Sequence, residues 1–112
     1  MTSALSHLVF TGFNSRVIAL DQNTGEILWA WTSPTGSGYV SLLLTDEKHL
    51  IVSVNGYTYC LDPATGQQLW FNGLAGQGVG VASLAAVGGQ SSSHNLFAAA
   101  TNEQRSRSSS TT

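Results

Sequence analysis

Charge is what this sequence lacks most. Only ten of its 112 residues are Asp, Glu, Lys or Arg, or 9%, against about a quarter in an average globular chain. With a net charge of −2 and 42% hydrophobic residues, the composition excludes an ordinary disordered chain, which combines high net charge with few apolar residues. Basic residues are scarcest. Arg105 and Arg107 lie in the last ten residues with Glu103, and residues 1–102 carry Arg16 and Lys48 against Asp21, Glu26, Asp46, Glu47 and Asp62. Phosphate recognition needs a basic surface, so no nucleic-acid partner is expected. Cys60 is the single cysteine, which excludes an internal disulfide and a cysteine-based zinc site. No apolar run approaches the eighteen or so residues of a membrane span. The opening residues Met1–His7 have neither the basic nor the apolar region of a secretory signal, and the expected compartment is the cytoplasm. So few charges imply that much of the nominal surface is covered.

What the sequence does have is an internal repeat. Leu20-Asp21-Gln22-Asn23-Thr24-Gly25-Glu26-Ile27-Leu28-Trp29 aligns with Leu61-Asp62-Pro63-Ala64-Thr65-Gly66-Gln67-Gln68-Leu69-Trp70, with six identities in ten positions at an offset of 41. Upstream, His7-Leu8-Val9-Phe10 matches His49-Leu50-Ile51-Val52. Downstream, Gly36-Ser37-Gly38 matches Gly76-Gln77-Gly78, and Ser41-Leu42 matches Ser83-Leu84. A third copy starts at His94-Asn95-Leu96-Phe97 and breaks off.

A period near 41 fits helical repeats or propeller blades, and the local pattern decides between them. The segments are short, rich in β-branched, aromatic and Leu residues, and punctuated by Gly, Asn, Asp and Pro. Strands are expected near 7–12, 16–21, 26–32, 40–45, 49–54, 57–62, 67–72, 80–87 and 95–100. Four short strands per repeat is the arithmetic of a propeller blade. In Asp21–Gly25 and Asp62–Gly66 the Asp side chain accepts backbone N–H bonds inside a turn, and the Gly takes the positive φ of a bulged hairpin. Asn55-Gly56 is a tight-hairpin signal.

The pattern Leu-Asp-x-x-Thr-Gly-x-x-Leu-Trp at 20–29 and 61–70 resembles the repeat of quinoprotein-type (PQQ-like) β-propellers. The WD40 repeat fits poorly, for there is no Trp-Asp pair. The resemblance covers roughly residues 7–100. It implies that Trp29 and Trp70 are docking residues on outer strands, each packed against the next blade. Asp21, Asp62, Thr24, Thr65, Gly25 and Gly66 then form the turns that shape the blades. It also implies that the strands beginning near Gly38 and Gly78 are innermost, so that the chain starts and ends mid-blade. Enzymes of that family bind pyrroloquinoline quinone and calcium with a vicinal cysteine pair and a catalytic Asp. This sequence has no cysteine pair and no segment that matches those ligands, so no catalytic residue, cofactor or metal is expected.

The other candidate groups read as structural. His7, His49 and His94 open equivalent strands, one blade apart, and a metal needs ligands that converge. Gly76–Gly80 looks like a phosphate loop, but such loops open a helix and here a strand is expected. Asp21 and Asp62 sit on separate turns, too far apart for shared acid–base work. Cys60 takes the place of Ala19 and reads as a small buried hydrophobe.

The sequence therefore predicts an all-β chain: about two four-stranded blades of a PQQ-like propeller over residues 1–102, and a flexible Ser/Thr-rich tail over 103–112. Two blades close no ring, since propellers have 4–8. Completion by homo-oligomerisation follows, with three copies giving six blades or four giving eight. A non-enzymatic scaffold that binds protein is the expected function. The alternatives are a quinone-binding protein and a fragment of a longer propeller.

Overall fold

A computed structural model describes residues 5–87. They form seven antiparallel strands in two sheets. Strands β1 (Leu8–Phe13), β2 (Arg16–Asp21) and β3 (Ile27–Thr32) make a three-stranded meander. Strands β4 (Val40–Asp46), β5 (His49–Val54), β6 (Tyr57–Leu61) and β7 (Gln68–Asn72) make a four-stranded one. By the repeat, β1–β3 correspond to β5–β7. The described part of the first sheet has no counterpart of β4.

The turns explain the register. Two-residue hairpins of type I′ need positive φ at both central residues. Asn14 and Ser15 supply φ 49° and 69° between β1 and β2, while Asn55 and Gly56 supply 52° and 101° between β5 and β6. The longer turns follow β2 and β6. Asp21 Oδ1 accepts the N–H groups of Asn23 and Thr24 at 2.8 and 3.2 Å, and Asp62 Oδ1 accepts that of Ala64 at 2.9 Å. Gly25 and Gly66, at φ 78° and 80°, each donate back to the Asp carbonyl at 2.7 Å. Both turns close on register shifts, at Ala19/Leu20 and Cys60/Leu61, as bulged hairpins do.

The core lies between the sheets. Alternation along the strands turns Leu50, Val52 and Val54 of β5 and Tyr59 and Leu61 of β6 to one face, where they cluster with Val17 of β2. Phe10, Trp29 and Trp31 pack onto this cluster from the first sheet. Trp31 meets Tyr59 edge-on at 4.7 Å between ring centres, and Tyr59 lies 4.8 Å from Phe71. Each fully buried aliphatic side chain contributes roughly 1.5–3 kcal/mol of transfer free energy, so this face dominates stability.

One expectation changes. Residues 80–87 form no strand and make only an isolated bridge at Ala85. A strand needs a ladder partner, and the pairing strand expected at 95–100 lies outside the described residues, as do His94 and the tail at 103–112. The segment is instead tied to the second sheet at single points: Gly80 N–H donates to Asn55 O at 3.1 Å, and Ser41 Oγ donates to Ala82 O at 2.7 Å.

The Tyr59 hydroxyl is a polar point in this core. It donates to Thr35 O, accepts the Thr35 N–H at 3.0 Å and lies 3.2 Å from Ser33 Oγ. It thereby pins the crossover between sheets to the middle of β6. Tyr59→Phe strands the Thr35 amide and is expected to cost about 1–3 kcal/mol. Urea unfolding should show a lower midpoint with an unchanged slope.

Candidate functional site

The contact between the sheets is built from a tryptophan and a turn. Trp29 stands on β3 opposite Ala19, a small residue that leaves the indole free to reach the second sheet. Its Nε1–H donates to the Pro63 carbonyl at 2.9 Å. Its ring lies over Gly66: a Cβ at that glycine would come within 2.5 Å of Trp29 Cε3. The glycine therefore does two things, adopting positive φ for the turn and leaving room for the indole. Phe10 supports the ring from β1 at 5.9 Å, and Pro63 is fully buried beneath it.

The repeat supplies a second copy of each half, and neither is filled among the described residues. Trp70, the counterpart of Trp29, is 45% exposed. It stands opposite Cys60, on the face of the second sheet that points away from the first. The turn at 21–25 is the counterpart of the turn at 62–66. Its Gln22, Asn23, Thr24 and Gly25 are exposed, and a Cβ at Gly25 would meet nothing within 4 Å. The sheet faces differ in the same way. The hairpin turns at Asn14 and Asn55 set β1 against β5 at the offset of 41, one residue out from the pairing of His7-Leu8 with His49-Leu50, so Val9 and Phe13 are the counterparts of Leu50 and Val54. Leu50 and Val54 of the covered face are 1% and 0% exposed, whereas Val9 and Phe13 are 44% and 49% exposed.

The remaining sequence candidates do not converge. Asp21 and Asp62 spend their carboxylates on their own turns. Thr24 Oγ1 and Thr65 Oγ1 each accept an N–H two residues on, at 3.2 Å. His7 lies in the turn before β1, and His49 pairs with Asp46, Nδ1 to Oδ1 at 2.8 Å. Among the described residues no three of His, Cys, Asp and Glu come together. With one cysteine in the sequence, the chain has no vicinal cysteine pair of the kind the quinoprotein enzymes carry.

Two features escaped the sequence reading. One is the Pro63 carbonyl, which a side-chain search passes over. The other is the Asp46–His49 pair, signalled only by the Asp-x-x-His spacing at the β4–β5 turn. The Lys48 amide and then the His49 side chain hold the Asp46 carboxyl below the usual carboxylate range. That contribution is present above the unfolded-state pKa and is lost as pH falls through the folded one.

Two stacked antiparallel meanders, joined by a crossover and carrying one repeated turn-and-tryptophan unit, define partial blades of a β-propeller repeat protein. A family model described as outer membrane protein assembly factor BamB, built on PQQ-like repeats, matches residues 13–106. The chain belongs to that family. Comparison with curated proteins gives no match. Among the described residues no helix is long and apolar enough to cross a membrane.

The two glycines make a matched pair. Gly66→Ala places a Cβ against the indole and strains the turn, an expected cost of about 2–5 kcal/mol. Gly25→Ala carries only the backbone strain, about 1–2 kcal/mol. Chemical unfolding of the two variants should separate them by that difference.

Cys60 is buried beside this face. Burial and then the nearby Asp46 charge push its thiol pKa up, and the thiolate is the reactive form. A thiol reagent near neutral pH should label the folded chain far more slowly than the urea-unfolded chain.

Proposed function

We propose that this chain is a non-enzymatic propeller scaffold that completes its blades by association with further copies, and that the closed ring binds protein. One observation carries the reading: both outward faces repeat the chemistry of the covered one and yet are open. Val9 and Phe13 on one side and Trp70 on the other are large apolar side chains in water. Monomers rarely leave apolar patches of this kind uncovered, and such patches mark interaction sites. Among the described residues β1 is also an edge of its sheet, and unpaired edges invite further strands. The low charge of the sequence supports the same reading, since faces that pack on neighbours leave few places for ions.

The scaffold role rests on the family. Its model is described as an assembly factor, and among the described residues no three of His, Cys, Asp and Glu come together.

Light scattering on the purified chain tests the association. A species of three or four times the 11.8 kDa monomer mass is expected, corresponding to six or eight blades. A monomer at micromolar concentration contradicts self-assembly. Addition of pyrroloquinoline quinone with calcium is expected to give no bound-cofactor absorbance, and a bound quinone would contradict the non-enzymatic reading.

A further inference from the structure

We infer that Asn72-Gly73 is a site of spontaneous covalent modification, and that the fold directs deamidation to it and away from the other Asn-Gly pair, Asn55-Gly56. These are the two places in the sequence where Asn precedes Gly. Glycine makes such a pair reactive, because it puts no side chain in the way of its own amide nitrogen.

The step is an intramolecular acyl transfer. The backbone nitrogen of the glycine, its proton taken by hydroxide, attacks Cγ of the asparagine. The Cγ–Nδ2 bond breaks and ammonia leaves, which gives a cyclic imide. Water then opens the ring. Breaking the new Cγ–N bond gives aspartate. Breaking the original peptide C–N bond gives isoaspartate, with the main chain rerouted through Cγ. Nothing is oxidised or reduced, and water is the co-reactant.

Asn72 is arranged for this step. Its Oδ1 accepts the Leu74 N–H at 2.8 Å. A bond of this kind folds the side chain over the peptide that follows it and brings Cγ toward the Gly73 nitrogen. The donor also points at the oxygen on which charge develops during attack, as an oxyanion-hole donor does. Asn72 is exposed to water. The ladder with β6 ends at the Thr58–Asn72 pair, so Gly73 has no ladder partner to hold it.

At Asn55-Gly56 the reacting peptide is held on both sides. Asn55 N–H donates to Tyr39 O at 3.0 Å, and the Asn55 carbonyl accepts the Gly80 N–H at 3.1 Å. The Gly56 amide, which would be the nucleophile, donates to Ser53 Oγ at 3.3 Å, and Ser53 is buried. The two-residue hairpin fixes both residues at positive φ. Attack requires this peptide to turn and its nitrogen to give up a proton, and each of these bonds opposes it. The product at Asn72 is not silent. Alternation places Asn72 on the face of β7 that carries Trp70, so modification puts a carboxylate on an open apolar face.

The test uses the parent chain, so no variant has to fold. The chain is incubated at mildly alkaline pH, once folded and once in urea, and its proteolytic peptides are followed by mass spectrometry. In the folded chain Asn72 is expected to convert to aspartate and isoaspartate at least about ten-fold faster than Asn55. In urea the two rates should converge, since both are then Asn-Gly in an open chain. Asn72 should also convert no more slowly in the folded chain than in urea. A ratio of the two rates no larger in the folded chain than in urea overturns the inference, and so does an Asn72 that folding protects.

Discussion

Everything in this structure depends on a sheet that has two apolar faces. A strand with one polar face is satisfied by one neighbour and by water. Here the alternation gives apolar side chains on both sides of both sheets: Leu50 and Val52 on one face of β5 with Ile51 behind, Phe10 on one face of β1 with Val9 behind. Two such sheets cover one interface between them and leave two uncovered. The small number of charged residues is the same fact seen in composition.

The covered interface shows how specificity is added to that general attraction. Apolar faces alone slide. The Trp29 indole fixes their position, because its N–H requires the Pro63 carbonyl and its ring requires the empty space above Gly66. The turn that provides both is in turn held by Asp62 and Thr65, side chains directed at the backbone rather than at a ligand. The acids and hydroxyls of the repeat thus act on packing through geometry. This explains why residues that resemble a catalytic inventory do not assemble into a site among the described residues.

Much of this was legible in the sequence, for physical reasons that differ by element. The turns at Asp21–Gly25 and Asp62–Gly66 are local, so their residues announce them. The strands around them follow from side-chain alternation, and β2 and β5 have the limits that the pattern alone assigns. The hairpin at Asn14-Ser15 is harder to see than its counterpart at Asn55-Gly56, because Ser takes a conformation that Gly adopts freely. Residues 80–87 have the alternation of a strand and are not one. Strand formation depends on a partner, which lies elsewhere in the chain or outside it. The acceptor for Trp29 was hidden for a similar reason: a backbone carbonyl has no letter in the sequence, and only the fold brings Pro63 within reach of a residue 34 positions away.

The central claim is that the Trp29 indole, seated on the Asp62–Gly66 turn, fixes the contact between the two sheets. Hydrogen exchange of the indole N–H groups, followed by NMR on the folded chain, tests it most directly. A slowly exchanging Trp29 indole beside a fast-exchanging, half-exposed Trp70 indole is the expected result. A Trp29 indole that exchanges as fast as that of Trp70 would contradict it.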